Sequence, residues 1–175
     1  MSSFREIVTK AIIGKGKKTF TNHYVLTPEE KPSTILGCWV INHKFSGEKS
    51  GNSILLKGTC DVNIWYSCEN DTKTLVSKQT INYEEIVNVT RKRKSELSDN
   101  EEIIVRSLKQ PSCIKADIVN DKIEYDIEKE LGIEILGETM IRIPIENDED
   151  DWEEIIDERS IDEEIDSSVK EDFLN

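Results

Sequence analysis

The chain has 175 residues with 23 basic and 36 acidic side chains, a formal net charge of −13, which leaves room for one ordinary domain, or one domain and a tail. That charge is concentrated at one end: Glu146 to Asn175 holds 15 acidic residues against Arg159 and Lys170, while Met1 to Ile145 balances 21 acidic with 21 basic residues. Apolar runs such as Ala11 to Ile13, Ile54 to Leu56 and Ile103 to Val105 fall far short of the roughly 18 residues of a spanning helix, and Ser2 to Thr9 has no apolar segment of signal-peptide length, so neither a transmembrane segment nor export is expected.

Ile and Val together number 34, whereas Ala occurs only at positions 11 and 116, a β-branched excess that favours strands. The first segment is the exception. Phe4, Ile7, Val8, Ala11 and Ile12 recur at helical spacing, Ser2 or Ser3 can cap them, and Gly14 and Gly16 can end them, which predicts a short helix followed by a basic turn over residues 1–18. Gly14-Lys-Gly-Lys-Lys18 faintly resembles a phosphate loop, but lacks its spacing and the hydroxyl residue that would hold magnesium. A solvated turn is the expectation there.

From Pro28 onward the period becomes two. Ile54, Leu56, Gly58, Cys60, Val62, Ile64 and Tyr66 alternate with Leu55, Lys57, Thr59, Asp61, Asn63 and Trp65, predicting one long half-buried strand. Strands are also predicted over 35–44, 75–83, 86–93 and 101–108, with Pro111 as an interruption. Ile114, Ala116 and Ile118 lead into Asn120-Asp121, and Ile123, Tyr125 and Ile127 follow, the pattern of a two-residue hairpin. Ile133, Ile135, Ile141, Ile143 and Ile145 close the body, with Pro144 marking an edge strand or an exit. The predicted fold is all-β: an antiparallel β-sandwich or barrel-like body of seven to nine strands over residues 1–145, with one short N-terminal helix.

Residues 146–175 are expected to be a disordered acidic tail, because like charges repel. Within it Trp152 and Ile156, then Ile161, Ile165, Val169 and Phe173, recur every four residues and would form one slanted apolar stripe in a helix. The tail is therefore read as a partner-binding segment that folds on docking.

Catalytic chemistry is thinly supplied. His23 and His43 are the only histidines, and there is no nucleophile elbow. The four cysteines, Cys38, Cys60, Cys68 and Cys113, have neither zinc-site nor disulfide-framework spacing and are expected to be reduced, with a later crosslinking role left open. No catalytic residue, metal site or cofactor is assigned. The basic run Arg91, Lys92, Arg93 and Lys94 is read as a solvated strand end or a self-association patch that meets a neighbour's acidic tail. Nucleic acid is not the expected partner, because the tail would repel it. The rival reading is a small-ligand-binding or enzymatic β-sandwich domain, with His43, Trp39 and Trp65 around a ligand.

The stretches KPSTILGCWVINHK at 31–44, GTCDVNIWYS at 58–67 and TKT at 72–74 carry a resemblance. FREIVTKA at 4–11, QPSCI at 110–114, GET at 137–139 and DDWEE at 150–154 extend it nearly end to end. Together they resemble the CotE family of spore coat morphogenetic proteins of endospore-forming Firmicutes. The resemblance implies a non-enzymatic scaffold made in the mother-cell cytoplasm that self-associates into a layer of the spore coat around the forespore. It also implies binding to a coat basement-layer protein and recruitment of outer coat proteins, the latter through residues 146–175.

Overall fold

The computed structural model describes residues 3–92 and 100–145. Among them every regular element is a strand: β1 Ser3–Leu26, β2 Pro32–Ser50, β3 Ser53–Cys68, β4 Lys73–Val87, β5 Glu102–Val119 and β6 Lys122–Ile145. They form two three-stranded sheets, ordered β2-β3-β4 and β1-β6-β5. The long alternating strand expected from Ile54 to Tyr66 is the central β3, and β6 is its counterpart in the other sheet. The hairpin at Asn120-Asp121 is also present: both residues have positive φ, 49° and 62°, and Val119 pairs with Lys122. This is the left-handed geometry a tight antiparallel turn requires.

The helix expected over residues 1–18 is absent, and that segment is the first half of β1. Ile7, Val8, Thr9, Ile12 and Ile13 are β-branched and lose rotamer freedom in a helix. The same stretch also alternates, with Thr9 and Ala11 half-buried and Ile13 buried, while Lys10 and Ile12 face outward. Gly14 stands within the strand because of a close approach. A methyl there would lie 3.2 Å from both the Ile135 side chain and the Thr90 carbonyl. The strands expected at 101–108 and 114–118 are one, β5, which runs through Pro111 with irregular pairing between Lys109 and Ser112. The runs from Ile123 to Ile145 are likewise a single strand, and β4 ends at Val87, so the described residues hold six strands rather than seven to nine.

The start of β1 up to Ile7 and the end of β6 from Arg142 make a separate unit. Within it Arg142 Nε donates to Glu6 Oε1 at 2.9 Å, and Phe4, Ile7 and Ile143 are exposed.

In the main unit the inward faces of both sheets build two apolar clusters. One gathers Ile13, Phe20, Ile54, Leu56, Val87, Leu131, Ile133 and Ile135. The other gathers Leu26, Val62, Ile64, Tyr66, Ile81, Ile123, Tyr125 and Ile127. Each fully buried aliphatic side chain contributes about 1.5–3 kcal/mol. Between the clusters lies a polar layer centred on Lys129, which is 1% exposed. Its ammonium sits 3.8 Å from the Tyr83 ring centroid and 5.4 Å from that of Phe20, and donates to Asn22 Oδ1 at 2.6 Å. Asn22 Nδ2 donates in turn to Glu85 Oε1 at 2.9 Å, and His43 Nε2 lies 2.8 Å from the Tyr83 hydroxyl. Burial lowers the Lys129 pKa, while the charge of Glu85 acts to raise it. Gly58 makes room for this layer, since a methyl there would lie 2.3 Å from the Tyr83 ring.

The outward face of β6 is a line of carboxylates, each flanked by cations of the neighbouring strands. Glu134 is held by Lys15 at 3.3 Å and Arg106 at 3.2 Å, Glu130 by Lys17 at 3.7 Å, Glu128 by Lys109, and Asp126 lies 2.7 Å from His23 Nδ1. Lys15 and Lys17 of the phosphate-loop-like run thus face acids of β6, while Lys18 lies over the Phe20 ring.

Replacing Lys129 by Ala should cost about 3 kcal/mol of stability in urea unfolding, chiefly through the packing lost against the Tyr83 and Phe20 rings. Lys129→Met, which keeps the volume and drops the charge, should retain most of that stability. Equal losses in the two variants would show that the charge, not the volume, carries the site.

Candidate assembly surfaces

The apolar stripe of the tail, Trp152, Ile156, Ile161, Ile165, Val169 and Phe173, lies outside the described residues, as do Arg93 and Lys94 of the basic run. The first half of that run is tied inward. Arg91 donates through Nε and Nη2 to the two carboxylate oxygens of Glu101 at 2.6 and 2.7 Å, and its side chain is 21% exposed. Lys49 Nζ adds a second cation 3.6 Å from Glu101. The backbone is fastened at the same point, where Gly14 bridges Arg91 and the Lys92 amide donates to the Ile13 carbonyl at 2.7 Å. Arg91 therefore clamps the end of β4 to β1 and β5, and of the described pair only Lys92 presents an exposed side chain.

The trio His43, Trp39 and Trp65 does not converge. Trp39 and Trp65 lie on the outward face of the β2-β3-β4 sheet, 54% and 43% exposed, whereas the His43 ring is directed between the sheets onto Phe45 and Tyr83. A bulge separates them. Pairing of β2 with β3 is irregular between Ile41 and Lys44, and Asn42 has φ 55°. The inserted residue reverses the alternation, so odd-numbered positions point outward from Gly37 to Ile41 and inward from His43 onward. Asn42 Nδ2 donates to Asp61 Oδ2 at 2.8 Å and Thr80 Oγ1 to Asp61 Oδ1 at 2.7 Å, and these two bonds hold the Asp61 carboxyl below the usual range.

The outward face so formed is apolar at its centre. Gly37, Trp65 and Val76 stand in one row across the sheet, and the Trp39 ring lies over Gly37, where a methyl would come within 2.2 Å of it. Ile41 and Leu36 extend the exposed surface. Large aromatic side chains left in water on a sheet face mark a contact surface more often than scattered aliphatics do. Sequence alternation had already placed Trp65 opposite the core face; what it could not place was Trp39, whose partner row depends on the β2 irregularities. On the other sheet Leu108 and Ile114 of β5 are exposed, with Leu108 lying over Gly132.

The chain matches the family described as outer spore coat protein E (CotE) over residues 3–175. No curated protein and no solved structure matches the chain.

Arg91 holds the Glu101 carboxyl below its ordinary range. A lowered folded pKa means stability that is present above the unfolded carboxylate value of about 4.3 and lost as pH falls through the folded one. Glu101→Gln should cost about 2 kcal/mol at neutral pH, since the pair is mostly buried and doubly hydrogen-bonded. Its unfolding free energy should converge on that of the unsubstituted protein as the solution is acidified. A constant gap across the acid range would show that the pair does not act through its charge.

Proposed function

The chain belongs to the outer spore coat protein E (CotE) family, structural morphogenetic proteins that direct outer coat assembly around the forespore, and we propose how this member divides that work. The body, residues 1–145, packs against copies of itself and anchors on the coat basement layer. The tail, residues 146–175, recruits outer coat proteins through Trp152, Ile156, Ile161, Ile165, Val169 and Phe173.

The observation that carries this division is the charge boundary at Glu146: a body with 21 acidic and 21 basic residues, and a tail holding the entire excess. A body neutral overall approaches its copies without repulsion, and it exposes Trp39 and Trp65 on one face for them to cover. A tail with an apolar stripe on an acidic background orders only when a partner covers the stripe, which suits a segment that must take several clients. The basic run contributes a second contact. With Arg91 tied to Glu101, Lys92, Arg93 and Lys94 remain to meet the acidic tail of a neighbouring copy, and a contact between unlike surfaces propagates from copy to copy.

Truncation after Ile145 should abolish capture of outer coat proteins and reduce, without eliminating, self-assembly, because the tail's contact with the basic run is lost while the face contact persists. Client capture by the truncated protein would overturn the tail's role. A companion measurement addresses the basic run: particle size by light scattering should fall as salt rises above about 0.15 M, where exposed charges are screened beyond roughly 8 Å. Size indifferent to salt, together with collapse of the particles in a Trp39→Ser, Trp65→Ser variant, would assign assembly to the apolar face alone.

A further inference from the structure

The two sheets meet along a seam between their edge strands β2 and β5, whose backbones come within 8 Å of one another. The antiparallel alignment can be followed rung by rung. Lys49 pairs with Glu101 at 3.6 Å, Gly47 faces Val105 with room for no methyl between them, and His43 lies beside Gln110. Continuing along the same diagonal, Cys38 comes opposite Cys113, which is near enough to act on the Cys38 thiol. Both side chains are half-buried against the second apolar cluster. Each follows or precedes an irregularity in its own strand, between Ile35 and Gly37 in β2 and between Cys113 and Lys115 in β5, and such bulges re-aim side chains.

We propose that Cys38 and Cys113 are an oxidation site, forming one intrachain disulfide that fastens the β2-β3-β4 sheet to the β1-β6-β5 sheet along this seam. The oxidant is a low-molecular-weight disulfide. One protein thiolate attacks it, forming a mixed disulfide and expelling the first small thiolate. The second protein thiolate then attacks the mixed disulfide at the protein sulfur and expels the other. Two cysteine thiols are oxidised to one S–S bond, one small disulfide is reduced to two thiols, and the two protons lost by the protein are taken up by the two small thiolates.

The other cysteines are placed differently. Cys60 and Cys68 are buried on β3, and the Cys68 thiol donates to Glu30 Oε2 at 3.4 Å. Cys113 donates to the Lys115 carbonyl at 3.2 Å, a weak contact that oxidation releases at little cost. Burial and the neighbouring Cys113 push the Cys38 thiol well above the ordinary thiol range. Exchange through Cys38 therefore accelerates as alkalinity supplies thiolate.

The bond would close a loop of about 75 residues, and the resulting restriction of the unfolded chain should raise the melting midpoint by about 10 °C. The test is incubation of the full-length protein with glutathione disulfide at mildly alkaline pH, followed by intact mass, non-reducing peptide mapping and melting with and without dithiothreitol. The expected result is a loss of about 2 Da, a peptide joining Cys38 to Cys113 within one chain, and a raised midpoint that reductant reverses. Cys38→Ser should lose the linked peptide and the shift, whereas Cys60→Ser should keep both. Linkage between copies, linkage through Cys60 or Cys68, a persisting glutathione adduct, or no mass change would each overturn the proposal. Mass and mapping on the unsubstituted protein decide it even if Cys38→Ser fails to fold.

Discussion

The register of the strands depends on a single ammonium group buried between two apolar clusters. Along β6 the inward positions read Ile123, Tyr125, Ile127, Lys129, Leu131, Ile133 and Ile135, and along β3 Ile54, Leu56, Gly58, Cys60, Val62, Ile64 and Tyr66. Aliphatic side chains repeated at every second position can slide past each other by two residues with little change in buried area. Lys129 removes that freedom. Shifted by two it would place its charge against Leu56 or Val62 rather than the Tyr83 and Phe20 rings and the Asn22 amide, and a charge buried without partners costs several kcal/mol. The polar layer is thus a register pin: Gly58 leaves space for Tyr83, Tyr83 receives Lys129 on its ring and His43 at its hydroxyl, and Asn22 passes the interaction on to Glu85.

A second constraint acts on the outside of the same strand. Glu128, Glu130 and Glu134 alternate with the buried residues of β6 and are matched by Lys109, Lys17, Lys15 and Arg106 from the strands on either side. Pairs whose cations stay largely in water each contribute little to stability. Their effect is on identity, since a strand pairing out of register would oppose lysine to lysine and glutamate to glutamate. Beside this paired charge, the outward face of the other sheet presents apolar groups such as Trp39 and Trp65.

How much of this was legible in the sequence follows from which signals are local. The alternation of β3 and the Asn120-Asp121 turn are local, and both stood in the sequence as they stand in the structure. The start of β1 was misread because Phe4, Ile7, Val8, Ala11 and Ile12 satisfy a helical period while Thr9, Ala11 and Ile13 satisfy a strand period. Only pairing with β6 decides between them. Pro111 was read as a break because a proline removes a ladder donor, yet β5 is an edge strand and tolerates that loss. The position of His43 was illegible for a different reason. One inserted residue at Asn42 inverts every side chain beyond it, and no residue type announces such a bulge unambiguously. That is why His43 and Trp39, four residues apart, lie on opposite faces of one sheet and form no ligand pocket with Trp65. The tail's stripe and the second half of the basic run rest on sequence alone, since neither is among the described residues.

The distribution of irregularities bears on how such a body can associate. β3 and β4 pair without interruption over their whole length, while the β2–β3 and β5–β6 ladders carry three register shifts each. β2 and β5 are edge strands, and they face one another across the seam. The remaining edges, β1 and β4, are joined by the Asn22–Glu85 hydrogen bond and by the bridge at Gly14 and Arg91. An edge that is bulged, or already facing another strand, is a poor template for an added strand from a second molecule. Layer growth by continuous edge-to-edge sheet extension is therefore disfavoured by the same features that close the core. Association through outward faces requires no edge to open, and the face bearing Trp39, Trp65 and Val76 offers aromatic surface beside a fixed, bulge-stabilised β2. A coat built by face contacts can add and space its copies without unfolding any of them, which a coat built by strand exchange cannot.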